Sequence, residues 1–479
     1  MRIGTLHFNA LTGETSLPSD FRRTFLGLLT AGSVMALAGC ANLAPSYSRP
    51  EPAVPHPQPA MVTSDVAKLD WRDFFSNERL RDTVTLALAN NRDLRVAALN
   101  VDKARAAFQV TDAARLPTLT ASADATKTQS SSSKNLQLAL SSFEIDLFGR
   151  VKNLSEAAQQ SLFATAETRR STQISLVAEV ANAWLALAAD LERQRLALQT
   201  LESRQRSLEL TRRQYSLGAI TGLELAQAQT AMESARVDAA AYPATVAQDR
   251  NALELLLGAA LPQALQPSAA DAQATVSALV DLPEGVPSSV LLQRPDVLAA
   301  EHSLIATHAD IGAARAAMFP TISLTASAGR SSSALSDLFK GGNGVWSYGP
   351  SISLPIFDGG LSRANLRSAE VNREIALATY DKTVQTAFGE VSDALAVRAT
   401  LAERLAAQRA LNVSTTRQLQ LAQARYSAGS TTMLDVLDAQ RSLYAAQQSM
   451  ITLLLAEQTN RITLYKVLGG GWKTNNKEG

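Results

Sequence analysis

Hydrophobic and polar residues alternate along four short stretches of this chain, and four long stretches between them show no alternation at all. In the first short stretch Leu119, Ala121, Ala123 and Ala125 fall on one face, with Thr120, Ser122, Asp124 and Thr126 on the other. In the third, Ile322, Leu324, Ala326 and Ala328 oppose Ser323, Thr325 and Ser327. Each of these runs follows a proline, Pro117 or Pro320, at which a preceding helix has to stop. Each is followed by a Ser- or Gly-rich loop and a returning strand. In the clearer return Trp346, Tyr348, Ile352, Leu354 and Ile356 share a face opposite Ser347, Ser351 and Ser353. In the other, Leu136, Leu138 and Leu140 change phase after Ser141-Ser142 to Phe143, Ile145 and Leu147, which predicts a bulge. The strands are expected at about 118–128, 135–148, 321–331 and 346–357. Period two over about ten residues, with aromatics at one end, suits a membrane β-barrel strand, although soluble hairpins share the pattern.

The long stretches read as helix. Val151 to Ser216 contains neither Gly nor Pro, and Leu361 to Ser427 is interrupted only by Gly389. At 1.5 Å per residue each reaches about 100 Å. Helices are predicted at 151–216, 222–257, 361–427 and 433–468. Ile174, Val177, Val180 and Trp184 recur at threes and fours amid many alanines, as in a helix packed closely on two sides in a coiled-coil wall.

The pattern is written twice. YSLGAITGLELAQAQ runs from Tyr215 to Gln229 and YSAGSTTMLDVLDAQ from Tyr426 to Gln440, an offset of 426 − 215 = 211. Asn91-Arg92-Asp93 is echoed by Arg294-Pro295-Asp296, and Pro117 by Pro320, both at 203. Leu255 to Gly258 closes the first copy as Val467-Leu468-Gly469 closes the second. The copies are assigned to residues 76–270 and 271–472. Within the doubled motif, Gly218 and Gly429 permit the left-handed turn that ends a helix. Four strands cannot close a barrel, and an open edge in lipid leaves backbone groups unpaired. If these strands span a membrane, several chains must pool them.

The N-terminus adds an address. Arg22-Arg23 precede an apolar run from Phe25 to Ala38 and then Leu37-Ala38-Gly39-Cys40, which matches an export signal (1–39) ending in a bacterial lipobox. The match implies cleavage before Cys40, with S-diacylglycerol on its thiol and an N-acyl chain on the new amino group; these covalent lipids are the only cofactor expected. Ala41 after the cysteine points to the outer membrane. The two arginines also resemble a twin-arginine signal, but no cofactor-loaded domain follows and the general secretory route is preferred. Six prolines between Pro45 and Pro59 make residues 40–75 an extended tether, and 473–479 form a tail. Beyond the signal no apolar stretch reaches the ~20 residues of a membrane helix. Lys plus Arg total 45 against 44 Asp plus Glu, which leaves no basic footprint for nucleic acid. Cys40 is the single cysteine, and His7, His56, His302 and His308 are scattered, so neither a zinc site nor a catalytic nucleophile is expected.

These residues resemble the outer membrane factors, the TolC-like exit ducts of Gram-negative efflux and secretion systems, and in particular the lipidated OprM-type branch serving drug pumps. The resemblance rests on Cys40 with Pro45-x-Tyr47-x-Arg49-Pro50, Asn91-Arg92-Asp93-Leu94-Arg95, and Phe143-Glu144-Ile145-Asp146-Leu147-Phe148-Gly149-Arg150. It rests further on Gln293-Arg294-Pro295-Asp296, Ala313-Ala314-Arg315-Ala316-Ala317-x-Phe319-Pro320, Leu354-Pro355-Ile356-Phe357 and Gly469-Gly470-Gly471-Trp472. It implies a mainly α fold with a membrane β portion: a homotrimer whose twelve pooled strands form a barrel continuous with a long periplasmic α-helical barrel. It also implies a periplasmic adaptor (membrane fusion protein), an inner-membrane RND-type pump and outer-membrane lipid as partners. Tyr426, Asp435 and Asp438 match the family's gate tyrosine and ring aspartates, and Glu224 matches an acidic lock partner. Gly218-Ala219 and Gly429-Ser430 become the tip turns that meet the adaptor. Where the family's type member has a locking arginine this chain has Thr431, which leaves Leu434 and Leu437 to contribute to closure. Rings of acid favour cations at an entrance. Metal efflux, protein secretion and a lipid-anchored coiled-coil scaffold are the alternatives.

Overall fold

The computed structural model describes residues 42–51, 70–274 and 291–470. The signal segment, Cys40, most of the proline tether and the tail from 471 lie outside them. The described residues form two compact units that cut across the two copies, each copy giving a strand pair to one unit and long helices to the other.

The sheet unit comprises Thr111–Ser155 and Ala309–Ala369 with residues 42–45. Its strands β1 (Leu119–Lys127), β2 (Ser132–Ile145), β3 (Thr321–Ser332) and β4 (Gly344–Ser353) are antiparallel in the order β1-β2-β3-β4. One row runs Ala121, Leu138, Ala328, Trp346 across all four strands; the adjacent row, facing the other way, runs Thr120, Ala139, Ser327, Ser347. The sheet therefore has an apolar and a hydroxyl face. Between Leu140 and Phe143 the register of β2 against β3 shifts by one residue, with Ser142 at φ 48. This bulge returns Phe143 and Ile145 to the apolar face, where they meet Leu324 and Ile322. On the other face Ser327 bonds Ser347 at 2.9 Å, Ser323 bonds Ser351 at 2.8 Å, and Asn135 donates to Asp124 at 2.9 Å. Gly329 is obligatory, because a Cβ there would lie 2.2 Å from the Leu136 carbonyl oxygen. Among the described residues much of the apolar face is left uncovered: Leu138 is 60%, Trp346 74% and Ile352 71% exposed. Strands β1 and β4 are each paired on one side only. At the foot of β2, Arg150 donates to Glu144 at 2.9 Å, and Phe148 stacks on Phe319 at 4.8 Å.

The helical unit comprises Ser46–Val110, Glu156–His308 and Glu370 onward. Its helices are α1 (Trp71–Phe74), α2 (Glu78–Asn90), α3 (Arg92–Ala113), α4 (Arg150–Ser216), α5 (Gly222–Leu257), α6 (Pro295–Ala316), α7 (Leu361–Ser427) and α8 (Met433–Val467). Helices α4 and α7 have 67 residues each, because nothing in either sequence breaks a helix before the doubled motif. An 18-residue window of α4 has mean hydropathy 1.5, enough by composition alone to cross a membrane, which corrects the sequence expectation that none would. Val180 and Trp184 of α4 are wholly buried in a core with Phe74, Leu253, Leu257 and Tyr465, which accounts for that hydropathy. Phe74 stacks on Tyr465 at 4.2 Å, and the Trp184 indole donates to the Leu265 carbonyl at 3.1 Å.

The echo between Asn91 and Arg294 has a physical basis. Asn91 Nδ2 donates to the Leu256 carbonyl at 2.8 Å, and Arg294 Nη1 donates to the Val467 carbonyl at 2.9 Å. These carbonyls are themselves equivalent (467 − 256 = 211), so in each copy this motif satisfies the orphan last turn of α5 or α8. Arg294, almost fully buried, also holds Asp296 at 2.7 Å and Glu390 at 2.8 Å.

Along the antiparallel seam of α4 and α8, Ala189 and Leu196 pack with Tyr444, Ile451 and Leu455, and Arg193 donates to Thr452 at 3.0 Å. Arg193 also holds Asp190 at 2.6 Å, and the Asp190 carboxylate faces Asp249 of α5. Burial, the hydrogen bond with Asp190 and that neighbour's charge push the Asp249 carboxyl up to about 6. Its Oδ2 is buried beside an acceptor, so the contact closes only when Asp249 carries a proton. Nearer the chain start, the Tyr47 hydroxyl donates to Glu301 at 2.9 Å, and Arg49 grips both oxygens of the same carboxylate. Burial raises the Glu301 pKa, but these bonds and the Arg49 charge outweigh it and hold the acid below its usual value.

Candidate gate at the helical tip

The two copies of the doubled motif build two turns with one geometry. After α4, the Gly218 N–H donates to the Tyr215 carbonyl at 2.9 Å and the Ala219 N–H to the Gln214 carbonyl at 2.9 Å. After α7, the Gly429 N–H donates to Tyr426 at 3.0 Å and the Ser430 N–H to Arg425 at 2.9 Å. This is the paired Schellman closure, with glycine at φ 70 and φ 69. A Cβ on either glycine would meet nothing within 4 Å, so backbone conformation alone selects glycine. Gly218, Ala219, Gly429 and Ser430 are all exposed.

The next helix in each copy starts with a capping box. Glu224 accepts from the Thr221 N–H at 2.8 Å while its own N–H donates to the Thr221 hydroxyl at 3.3 Å. Asp435 accepts from the Thr432 N–H at 3.3 Å and its hydroxyl at 3.2 Å, and from the Thr431 hydroxyl. Thus Glu224 and Asp435, expected as gate acids, are also the N3 caps of α5 and α8. Thr431, standing where the family's type member has its locking arginine, ties down the cap. The hydrogen bond from Thr431 first, then those from Thr432, with the Arg425 charge behind them, hold the Asp435 carboxyl below its usual range.

Tyr426 is half-buried, and its hydroxyl donates to Gln214 Oε1 of α4 at 2.7 Å. Its ring packs with Met433, Val436 and Leu437. Leu437 therefore closes the hairpin of α7 and α8 from within, whereas Leu434 is 46% exposed. Asp438 is exposed and holds Arg441 at 2.9 Å. Asp435 and Asp438 line one groove of about 700 Å³ together with Arg417 and Arg425 of α7, and with Val413 and Leu421. Glu224 and Leu434 are not among the residues lining it. The sequence reading missed Gln214, Arg417, Arg425 and Arg441. Gln214 and Arg425 stand at equivalent places (425 − 214 = 211), immediately before the two tyrosines, so setting the copies side by side would have exposed the pair.

Cys40 lies outside the described residues. Of the histidines, His302 bonds Gln160 at 2.7 Å and the His308 ring meets Tyr47 edge-on. Among the described residues no group of three or more His, Cys, Asp or Glu is placed to hold a metal.

Comparison with known proteins gives this geometry its setting. The antibiotic efflux pump outer membrane protein ArpC of Pseudomonas putida is 43% identical over 466 residues, 93% of this chain and 95% of that one. The cation efflux system protein CusC of Escherichia coli is 41% identical, covering 92% of this chain and 97% of the relative. The crystal structure of the open state of the Neisseria gonorrhoeae outer membrane channel MtrE superposes with a TM-score of 0.83 at 37% identity, over 90% of this chain and 99% of that one. The profile of the family described as outer membrane efflux protein matches twice, at residues 83–259 and 286–470, once per copy. The chain belongs to that family and is an outer-membrane efflux channel of TolC-like fold.

Proposed function

We propose that three copies of this chain form the exit duct of a tripartite drug-efflux system. The observation that carries this is the sheet: four strands with an exposed apolar face and two unpaired edges, β1 and β4. Hydrogen-bond satisfaction in lipid requires those edges to pair, and β1 of one copy beside β4 of the next closes twelve strands. Acyl chains on Cys40 add about 0.8 kcal/mol per buried CH₂ and tether the N-terminus to the same membrane. The exposed turns at Gly218-Ala219 and Gly429-Ser430 meet a periplasmic adaptor, which couples the duct to an inner-membrane pump of the RND type. The duct is passive, and Tyr426, Asp435 and Asp438 form its gate, with Glu224 and Leu434 beside them. Asp435→Ala with Asp438→Ala raises leak conductance or changes ion selectivity in bilayers.

The test in cells is accumulation of a fluorescent pump substrate with the protein deleted and then restored on a plasmid. Deletion raises accumulation and restoration reverses it; no change in either strain refutes the drug-exit reading. A cation-efflux reading is favoured by the likeness to CusC. A passive wall needs no metal site of its own, so the same strains tested for growth on toxic metal-cation salts decide between the two cargoes.

A further inference from the structure

The four strands of the sheet hold five charged residues, and the two faces sort them by sign. Asp124 and Glu144 lie on the hydroxyl face, paired across the strands with Asn135 and Ser323. Lys127, Lys134 and Arg330 lie on the apolar face: Arg330 stands opposite Leu136, Lys134 two residues before Leu136, and Lys127 two residues after Ala125. All three cations are at the hairpin end of the strands. At the end joined to the helices the same face reads Phe143 with Leu324, then Ile145 with Ile322 and Ile352, and carries no cation.

The three positions make a staircase. Lys127 faces Ser132, so Lys134 is its diagonal neighbour; Lys134 faces Ser332, so Arg330 is the diagonal neighbour of Lys134. Each step is about 7–8 Å between Cα atoms. The long side chains reach from it toward the loops. Lys134 Nζ donates to the Ser132 hydroxyl at 3.1 Å, and Arg330 Nη1 donates to the Lys340 carbonyl, in the loop between β3 and β4, at 3.1 Å. Neither partner is charged. The one carboxylate in the hairpin loops 128–131 and 333–343, Asp337, is held by Lys340 at 2.6 Å. Among the described residues the cluster therefore has no counter-charge of its own.

Cations at the rim of a membrane sheet are often no more than long side chains reaching for water. That need is the same at both rims, whereas these strands meet it at one. The headgroup level at that rim is marked separately. Trp346 and Tyr348, stacked at 6.0 Å and both exposed, occupy the next two rows of the apolar face below Arg330; Trp and Tyr favour that depth. In the loop, Leu335 and Phe339 are exposed as well, with the Arg330 guanidinium 5.9 Å above the Phe339 ring.

We infer that Lys127, Lys134 and Arg330 form a site for the phosphates of a glycolipid in the outer leaflet, whose acyl chains lie along Leu136, Leu138 and Trp346. This rests on reading the sheet as part of a closed membrane barrel whose helix ends are periplasmic, which puts the hairpin loops on the outer side. Cations without acceptors at a lipid surface are served best by anionic oxygens, which give charge-assisted hydrogen bonds. From Lys127 to Arg330 the staircase crosses two strand spacings and four residues, about 16 Å in all. That is wider than one phosphate and suits a headgroup with an anionic group at each end. Exposed Gln129, Ser130 and Ser333 beside it supply neutral donors and acceptors for sugar hydroxyls. The acids on the opposite face stay clear of the lipid, so the sheet attracts the glycolipid on one side only.

Titration of fluorescently labelled lipid A, a disaccharide glycolipid with two phosphates, into the purified full-length protein in neutral detergent tests this. The native channel binds it about a hundredfold more tightly than the same lipid stripped of phosphate, from a contribution of about fivefold per cation. Lys127→Gln, Lys134→Gln and Arg330→Gln each weaken binding about fivefold. The triple variant binds both lipids equally, and Arg330→Lys keeps most of the affinity. If the triple variant does not assemble, the single variants carry the test. Native-like affinity in the assembled variants overturns the proposal, and so does equal binding of the two lipids by the native channel. Displacement by excess inorganic phosphate shows a simple anion site, and displacement by phosphatidylglycerol at equal concentration shows a site for any anionic lipid; either result overturns the glycolipid assignment. Failure of the native protein to run as a heat-stable assembled channel overturns instead the barrel reading beneath it.

Discussion

Replacing Asp249 by asparagine separates charge from packing where α4, α5 and α8 meet. An ordinary aspartate titrates near 3.9, whereas Asp249 is pushed up to about 6 by burial and by Asp190. Two units at about 1.36 kcal/mol each amount to about 3 kcal/mol. Water reaches part of this side chain and Arg193 lies close by, so screening reduces the effect to about 1 kcal/mol. The sign follows from the direction of the shift. A carboxyl whose folded pKa is raised contributes its stability fully below about pH 4 and loses it as pH rises through 6. At pH 7.5 the native pair is two repelling carboxylates, while asparagine stays neutral and still donates to Asp190. Asp249→Asn is therefore more stable than the native chain by about 1 kcal/mol at pH 7.5 and equal to it near pH 4. The assay is hydrogen exchange of the purified channel between pH 5 and 8, corrected for intrinsic rates, followed in peptides containing Asp190 and Asp249. Native α5 loses about fivefold in protection across that window relative to the variant. Parallel pH profiles for the two proteins would refute the reasoning.

Other changes test other parts of the molecule. Gly218→Ala and Gly429→Ala place a Cβ at φ 70 and φ 69, which costs about 1 kcal/mol each; limited proteolysis then cuts faster at the tip without loss of the folded channel. Leu138→Arg puts a charge on the apolar face of the sheet and costs about 2–4 kcal/mol at mid-membrane. Gln137→Arg, on the other face, is tolerated, and the yield of heat-stable folded channel in outer-membrane fractions measures both. Arg294→Met leaves Asp296, Glu390 and the Val467 carbonyl without their donor. It lowers stability by about 2–3 kcal/mol, read as a fall in the melting temperature of helical circular dichroism.

The long helices were legible because α4 has no residue that stops a helix, and the strands because hydrophobicity alternates through Leu136, Leu138 and Leu140. The phase change at Ser141-Ser142 even marked the bulge, since only one inserted residue returns Phe143 to the apolar face. The tip was legible in its glycines, whose positive φ is a local property. What escaped was pairwise. Nothing local to Gln214 says that a tyrosine 212 residues later donates to it. Asp435 and Glu224 were recognised as acids, but their capping role depends on the preceding threonines as much as on their charge. The hydropathy of α4 was underestimated because Glu179 and Asp190 interrupt an otherwise apolar stretch whose remaining face packs inward.

The central pairing of the sheet, β2 with β3, joins the two copies, and Leu138 meets a partner 190 residues later (328 − 138). Contacts so distant in sequence form slowly, since a large loop must close before any bond compensates for it. During export the hairpin of β1 and β2 is complete early, with Leu136 and Leu138 bared on one face and an open edge on β2. That edge stays unpaired until the second copy arrives. A strand in this condition is a site for aggregation. Maturation is thus limited by how long the first hairpin survives alone, and a periplasmic holding factor that shields it would raise yield without altering the finished channel.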